Sequence, residues 1–422
     1  MEWTKRMSVH ILAEARRCLN CSVPLCQSGC PIHTPIPKVI RTMLDGDPNE
    51  AGKILFENNP LTAICSLICD HEKQCEGHCV LGSKDMPVRF SDIENYLSTA
   101  YTSKASEGPV PRNGMRAAII GSGPAGLTIA VVLARKGYQV TIFESRDQIG
   151  GVLRYGIPEF RLPKALLSEF EYHHLILKGI RIRPNTTIGA AISIEDLLSD
   201  GYKAIFVGTG MWQPNTLHIP GETLGNVHFG INYLYNPDSY HLGETINVIG
   251  AGNAAMDVCR TALRKGVRHV NCFSPNGKIA ASRHEYDYAK LEGVKFFLNK
   301  KPIQIVDEGV IFDDIVEYAD GTYETVPGSR RLYEADSTII SISQGPRSRL
   351  VGTTEGLQGN RRGLIAVDEY GRTSRDGVFA CSDTVANASS VVEAVAQAKR
   401  VAYAMDAYMQ GRRIGGLGWM KD

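Results

Sequence analysis

No stretch of this 422-residue chain is both apolar and long enough to cross a bilayer; its longest apolar runs are short and broken by glycine. Net charge is nearly absent as well. Lys and Arg number 46 against 45 Asp and Glu, a formal +1, without a long basic run. A nucleic acid is therefore not favoured as the main ligand. The amino-terminal MEWTKRMSVH lacks the apolar core of a signal peptide, so the expected compartment is the cytoplasm. The length allows two or three domains, each with its own core.

What the chain has instead is glycine placed for phosphate. MRAAIIGSGPAGLTIAVVLARKGYQVTIFE, residues 115–144, reads as a strand at Ala117–Ile120, a glycine loop, a helix to about Lys136 and a strand at Gln139–Phe143. Gly121 permits the tight turn, Gly123 lets backbone N–H groups reach pyrophosphate oxygens, and Gly126 lets helix and strand pack closely. Pro124 and Ala125 open the helix whose N-terminus faces the anion. Glu144, about 20 residues further on, suits a ribose diol. It would repel a 2′-phosphate, so this first ligand is read as FAD or NAD rather than NADP.

The pattern recurs at TINVIGAGNAAMDVCRTALRKG, residues 245–266. Gly250, Gly252, Asn253 and Ala254 form the loop, Ala255 takes the third glycine position, and Val267–Phe273 is the next strand. Two such units mean two dinucleotides, or one dinucleotide and a vestige, and the first is the economical reading. Between them, GGVLRYGIPEFRLP at 150–163 predicts a rigid loop beside the first ligand, with Gly151 and Arg161 as candidate contacts. A helix over about 164–178 and a short strand at 180–184 return the chain. The strand Ala204–Val207 ends at Gly208-Thr209-Gly210, where Gly210 allows another close approach. After residue 330 the first domain is expected to resume. Ala335–Ile340 is strand-like, and Gly377–Asp383 is a strand running into an acid. Asp383 suits a flavin's ribityl or pyrophosphate region, or an N-cap for the helix Ser389–Met409. The tail, with Trp419, reads as a frayed end.

Cysteine is very unevenly spread. Eight of eleven lie at 18, 21, 26, 30, 65, 69, 75 and 79, in a mainly helical stretch with helical segments over 9–22, 36–44 and 47–60. Nothing suggests an oxidising compartment, which argues against a disulfide scaffold; metal ligation remains. Structural zinc stays open on spacing alone. The run ending in Cys30-Pro31 is closer to a ferredoxin-like arrangement, and a flavin domain downstream gives an electron carrier a purpose. Polar residues 102–114 form the linker.

Together these motifs resemble the family of the small, NADPH-oxidising subunit of bacterial glutamate synthase and the amino-terminal half of dihydropyrimidine dehydrogenase. The marks are the two cysteine groups, GSGPAGL at 121–127, GGVLRYGIPEFRLPK at 150–164, GAGNAAMD at 250–257, GVFACSD at 377–383 and VVEAVAQAK at 391–399. The resemblance implies an α/β fold of two nucleotide-binding, Rossmann-like domains. The second is inserted in the FAD domain, and a mainly helical iron–sulfur domain precedes both. Its boundaries would be 1–108 for two [4Fe-4S] clusters, 114–242 and 331–410 for FAD, 243–330 for NAD(P), and 411–422 for the tail. Carried over by position, Cys18, Cys21, Cys26 and Cys79 would hold one cluster. Cys30, Cys69, Cys75 and Glu94 would hold the other, leaving Cys65 as a buried non-ligand.

Two departures bear on function. Where relatives carry arginines for the 2′-phosphate of NADPH, this chain has Ser274 and Pro275. Lys278 and Arg283 are near enough in sequence to substitute, but the bidentate fork is absent. The balance leans to NADH with NADPH open, and a site that binds neither is a further reading. Ser382 and Ser343 also stand where relatives usually have glycine.

The resemblance implies exchange of a hydride between NAD(P)H and FAD and single-electron relay through two clusters to or from a larger subunit of a hetero-oligomer. No catalytic side chain is required. Alternatives are a relay subunit with a non-functional nicotinamide site, in a ferredoxin-linked, bifurcating or pyrimidine-reducing complex, and a disulfide reductase. The latter needs a Cys-x-x-Cys beside the flavin, which Cys259, Cys272 and Cys381 do not form.

Overall fold

A computed structural model of the chain describes residues 2–102, 110–318, 322–346, 349–385 and 390–414, with side chains described from residue 9 onward. Trp419 and most of the expected linker lie outside them. The amino-terminal region is helical, with its main helices at Glu2–Arg16, Ile36–Leu44, Pro48–Asn58, Thr62–Ile68 and Phe90–Thr102. Ile36–Leu44 buries Ile36, Val39, Ile40 and Met43, the spacing of one helix face. Pro48–Asn58 is capped by Asp47, whose carboxylate accepts from the Glu50 N–H at 2.9 Å, an interaction worth about 1 kcal/mol. The helix expected over 9–22 ends early, at Arg16. Asn20 takes a left-handed backbone, φ +50°, so Cys18 and Cys21 leave the helix and can turn toward other elements.

The strands are β1 (Arg116–Ile120), β2 (Gln139–Phe143), β3 (Arg181–Arg183), β4 (Tyr202–Val207), β5 (Met211–Pro214), β6 (Val227–Phe229), β7 (Thr245–Ile249), β8 (His269–Phe273), β9 (Lys295–Phe297), β10 (Lys300–Val306), β11 (Gly309–Glu317), β12 (Tyr323–Thr325), β13 (Arg331–Glu334), β14 (Ser337–Ile340), β15 (Gln344–Pro346) and β16 (Val378–Ala380). Two five-stranded sheets run β16-β4-β1-β2-β3 and β6-β14-β7-β8-β9, with parallel pairing throughout. Both are doubly wound α/β sheets, as expected. Parallel sheets are covered on both faces, which is why the central strand β1 reads as a nearly unbroken apolar run; in β7 the buried Asn247 is satisfied by donating to Tyr333 O at 2.7 Å.

The chain divides into two compact units. One comprises Met1–Arg154, Glu159–Met211 and Pro346–Asp422, the other Tyr155–Pro158 and Trp212–Gly345. The second unit runs outside the expected 243–330 on both sides. The strand at Ser337–Ile340 was legible, but it joins the second sheet, where Thr338 pairs with Val227 and Ser337 with Ile246. Buried β-forming residues announce a strand without specifying its neighbours. The helical region 1–108 is likewise part of the first unit, joined to it by the Arg135–Glu57 ion pair at 3.1 Å.

Two features had no sequence signal. Strands β10 to β13 form an antiparallel sheet, and Phe312 of β11 stacks on Phe273 with centroids 4.2 Å apart. The helix expected over 164–178 is α-helical only over Lys164–Phe170 and continues as a π-helix, Glu171–Ile176.

Candidate dinucleotide and iron–sulfur sites

In the first sheet, the order β16-β4-β1-β2 sets four strand ends side by side. Their carboxyl ends lead into Asp383, Gly208–Gly210, the loop at Gly121 and Glu144, the edge where such sheets bind ligands. Gly121 has φ +95°, and a Cβ there would lie 2.3 Å from the Gly208 carbonyl oxygen. A Cβ on Gly126 would lie 2.1 Å from the Gly121 oxygen. Both positions therefore need glycine. Gly123 is different: a Cβ there meets nothing within 4 Å, leaving open space above the start of the helix Pro124–Arg135. That space, the N–H groups of the helix start and its dipole suit a pyrophosphate.

Gly151 (φ +53°) packs on this loop, its would-be Cβ 2.9 Å from Gly123 Cα, while the Gly150 N–H donates to Ser122 O at 3.1 Å. The glycines at 150–151 thus hold the loop Gly121–Gly126 from outside. Glu144 is buried, and its carboxylate accepts from Ser122 Oγ, from the Ser122 N–H at 3.0 Å, from Ser145 Oγ at 3.2 Å and from the Arg146 N–H at 2.9 Å. A ribose hydroxyl would have to replace one of the serine hydroxyls. Gly210 (φ +68°) donates its N–H to Thr384 Oγ1 at 3.4 Å, which links the β4 and β16 ends. Asp383 lies in the turn Ser382–Thr384. Arg161 is half-buried.

Sequence reasoning missed Arg154. Its Nε donates to Ile149 O at 2.7 Å, but its buried Nη2 has no partner among the described residues. A cationic donor left open beside a phosphate loop suits an anion; the signal available was an arginine within the 150–164 motif. Ser382 and Ser343 have φ +59° and +77°. A side chain in the left-handed region carries strain that glycine at either position would avoid.

The second loop repeats the geometry. Gly250 has φ +124° and its would-be Cβ lies 2.1 Å from Ser341 O, whereas Gly252 again faces open space. The helix Asn253–Arg264 starts there, with Ala254 in its first turn. The Asn253 side chain is committed to the protein, its Oδ1 accepting from the Ser282 N–H at 2.8 Å. With Ala280 and Ala281 N–H groups bound to Ala251 O, this docks the segment before Arg283 onto the loop. Arg283 is exposed and ion-paired to Asp287 at 3.7 Å; Lys278 is exposed. Ser274, at the end of β8, is buried and bonded to the backbone of Phe297 and Lys300.

Two of the scattered cysteines prove to be neighbours. Cys259 and Cys272 are buried side by side, and Cys272 Sγ donates to Gly250 O at 3.3 Å. Burial pushes the Cys259 thiol well up, which disfavours the thiolate that disulfide exchange needs.

The amino-terminal cysteines lie close together. Cys18, Cys21, Cys26 and Cys79 lie within electrostatic reach of one another and line one cavity together with Cys75, Leu19, Leu25 and Val80. Burial raises Cys18 and takes Cys26 to about 11. Cys75 senses both Cys30 and Glu94, and Cys69 senses Cys75 and Glu94. Cys65, buried at 2% exposure, is hydrogen-bonded to Cys69. Glu94 is 6% exposed and accepts from Thr62 Oγ1 at 2.6 Å; burial takes its carboxyl to about 7. No ion pair to it is found among the described residues. A buried acid without a cation is costly, and a metal centre would supply the missing positive charge. Among the described residues, no three His, Cys, Asp or Glu side chains gather around a point for a single ion.

Two family models match the chain. Residues 115–398 match the family model of pyridine nucleotide-disulphide oxidoreductases, and residues 2–106 match that of dihydropyrimidine dehydrogenase domain II, 4Fe-4S cluster. The chain belongs to the pyridine nucleotide-disulphide oxidoreductase family. Within it, the chain is 30% identical to the glutamate synthase [NADPH] small chain of Halomonas elongata, over 92% of this chain and 88% of that one. It is 28% identical to the NAD-dependent dihydropyrimidine dehydrogenase subunit PreT of Salmonella typhimurium, over 94% of each. The fold is similar to that of FprA from Mycobacterium tuberculosis, with a TM-score of 0.60 over 72% of this chain and 85% of that one, at 18% identity. The chain is accordingly an NAD(P)H- and FAD-dependent oxidoreductase, related to the glutamate synthase small subunit and to dihydropyrimidine dehydrogenase. No helix among the described residues is long and apolar enough to cross a membrane.

Proposed function

We propose that this oxidoreductase exchanges a hydride between NAD(P)H and FAD and passes single electrons through two [4Fe-4S] clusters to or from a larger partner subunit. The observation that carries it is one chain with two glycine loops that leave open space, at Gly123 and Gly252, and a cysteine-rich region, residues 2–106, that matches a 4Fe-4S family model. Bound flavin supplies the conversion between electron pairs and single electrons. The chain's own groups bind and orient. The loop Gly121–Gly126, Glu144, Gly151, Arg154, Arg161, Gly210 and Asp383 would hold FAD. Gly250, Gly252, Asn253 and Ala254 would hold the nicotinamide dinucleotide, with Lys278 and Arg283 at its rim. Asn253 acts through its backbone and by fixing the Ser282 segment, since its side-chain oxygen is occupied.

Cys18, Cys21, Cys26 and Cys79 would hold one cluster; Cys30, Cys69, Cys75 and Glu94 the other. Leu19, Leu25 and Val80 line the first cysteine cavity yet are 61%, 48% and 38% exposed. Such apolar exposure beside an electron exit supports a docked partner. The work is assigned to the cytoplasm, where these thiols stay reduced.

Ser274 and Pro275 in place of an arginine pair favour one second reading, a relay subunit whose nicotinamide site is idle. Anaerobic titration with NADH and with NADPH, following flavin absorbance, separates the two. Bleaching by either supports the oxidoreductase, and bleaching by neither leaves the relay. Iron and acid-labile sulfide analysis tests the clusters. Glu94→Ala should lower iron toward one cluster; unchanged iron and spectra would remove Glu94 from the ligand set.

A further inference from the structure

The Cys30 sulfur has a neighbour that the assignment above does not use. Thr34, 3% exposed, places its hydroxyl oxygen 3.3 Å from Cys30 Sγ. The same oxygen accepts a hydrogen bond from Asn58 Nδ2 at 3.2 Å. A hydroxyl has one proton to give. With Asn58 acting as donor to Thr34, that proton is left for the sulfur. Asn58 is held in turn by Lys399, whose Nζ donates to the Asn58 carbonyl at 2.5 Å. Lys399 lies on the helix Val391–Met409, and two residues before it Gln397 Oε1 accepts from the Ser382 N–H at 2.9 Å. One helix therefore grips both the loop before Asp383 and the segment behind Cys30. Burial lowers the Lys399 ammonium to about 8, so it remains mostly cationic at neutral pH.

We propose that Thr34 is a positioning residue that raises the reduction potential of the centre held by Cys30, through a hydrogen bond to its sulfur. Asn58 and Lys399 keep its hydroxyl in the donating orientation. The proposal rests on Cys30 being a cluster ligand. A donor on a ligand sulfur draws charge from it and favours the reduced, more negative state. Cys18 and Cys26 are served by backbone groups of Asn20 and Gln27 instead, so a side-chain substitution at Thr34 acts on one centre and spares the other.

The test is a redox titration of the anaerobically prepared holoenzyme, followed by electron paramagnetic resonance. Thr34→Val removes the hydroxyl at nearly constant shape. One of two midpoints should fall by a tenfold change in the reduction equilibrium, about 59 mV for one electron, while the other holds. Thr34→Ser, which keeps the hydroxyl, should restore it. Asn58→Ala, which frees the hydroxyl to turn, should move the same midpoint down by less. Thr34→Val with wild-type iron and sulfide and both midpoints unchanged, or both shifted alike, would overturn the proposal and leave the cluster assignment standing. Zinc without acid-labile sulfide in the wild-type protein would overturn both. A Thr34→Val protein that loses a centre shifts the decision to Asn58→Ala, where an unmoved midpoint is equally fatal.

Discussion

The two phosphate loops are built to one plan and finished differently. In each, the first glycine has a positive φ and backs onto a carbonyl of the neighbouring strand end, and the second faces open space. The third position separates them. Gly126 leaves no room for a methyl group, whereas Ala255 is fully buried and accommodated, so the second helix stands slightly further from its strand. The strand ends differ more. Glu144 closes the first site with a carboxylate fixed by four hydrogen bonds, while Ser274 closes the second with a small buried hydroxyl. The shared part suits a pyrophosphate; on the proposed reading the unshared part would decide which dinucleotide carries it. Ser274 is neither acid nor arginine, so on the proposed reading the choice between NADH and NADPH would fall to exposed residues such as Lys278 and Arg283.

This contrast can be broken from either side. Gly126→Ala should do most: its Cβ would meet the Gly121 oxygen, and overpacking of about 1–3 kcal/mol predicts FAD binding about ten- to a hundredfold weaker, read from flavin content after gel filtration. Gly250→Ala should match that loss at the other loop, raising the nicotinamide concentration needed for flavin bleaching about ten- to a hundredfold while flavin stays bound. Ser274→Arg, which supplies the missing cation for a 2′-phosphate, should shift preference toward NADPH by about tenfold, about 1.4 kcal/mol, in anaerobic titration. Glu144→Gln keeps shape but loses charge and an acceptor for the Ser122 donors. FAD should bind several-fold more weakly, about 1 kcal/mol. Ala255→Gly should change nicotinamide affinity least, within about twofold, because the position already tolerates a methyl; a large loss there would show that the two loops are not equivalent.

Legibility followed how local the cause was. The strand at Gln139–Phe143, the helices after both loops and the strand end at Glu144 could be read directly, since glycine spacing and apolar runs act over a few residues. The start and end of the second unit could not. Ser337–Ile340 looks like any buried strand, and its place between β6 and β7 depends on Val227 and Ile246, about a hundred residues away. The early end of the first helix was hidden as well, because Asn20's left-handed turn serves sulfurs that converge from distant segments. Glu94 as a ligand came from resemblance alone. Its burial, and the lack of an ion pair to it among the described residues, are visible only in the fold.

By itself the sequence determined that this chain presents two pyrophosphate loops and a cysteine-rich helical region, because those signals reside in backbone freedom at glycine and in the chemistry of sulfur. Only the tertiary structure decided that Glu94 is buried near Cys69 and Cys75, and that Thr34, Asn58 and Lys399 stand in line behind Cys30. Hydrogen bonds between residues far apart in the chain leave no periodicity to read; they exist once packing has fixed each donor against its acceptor.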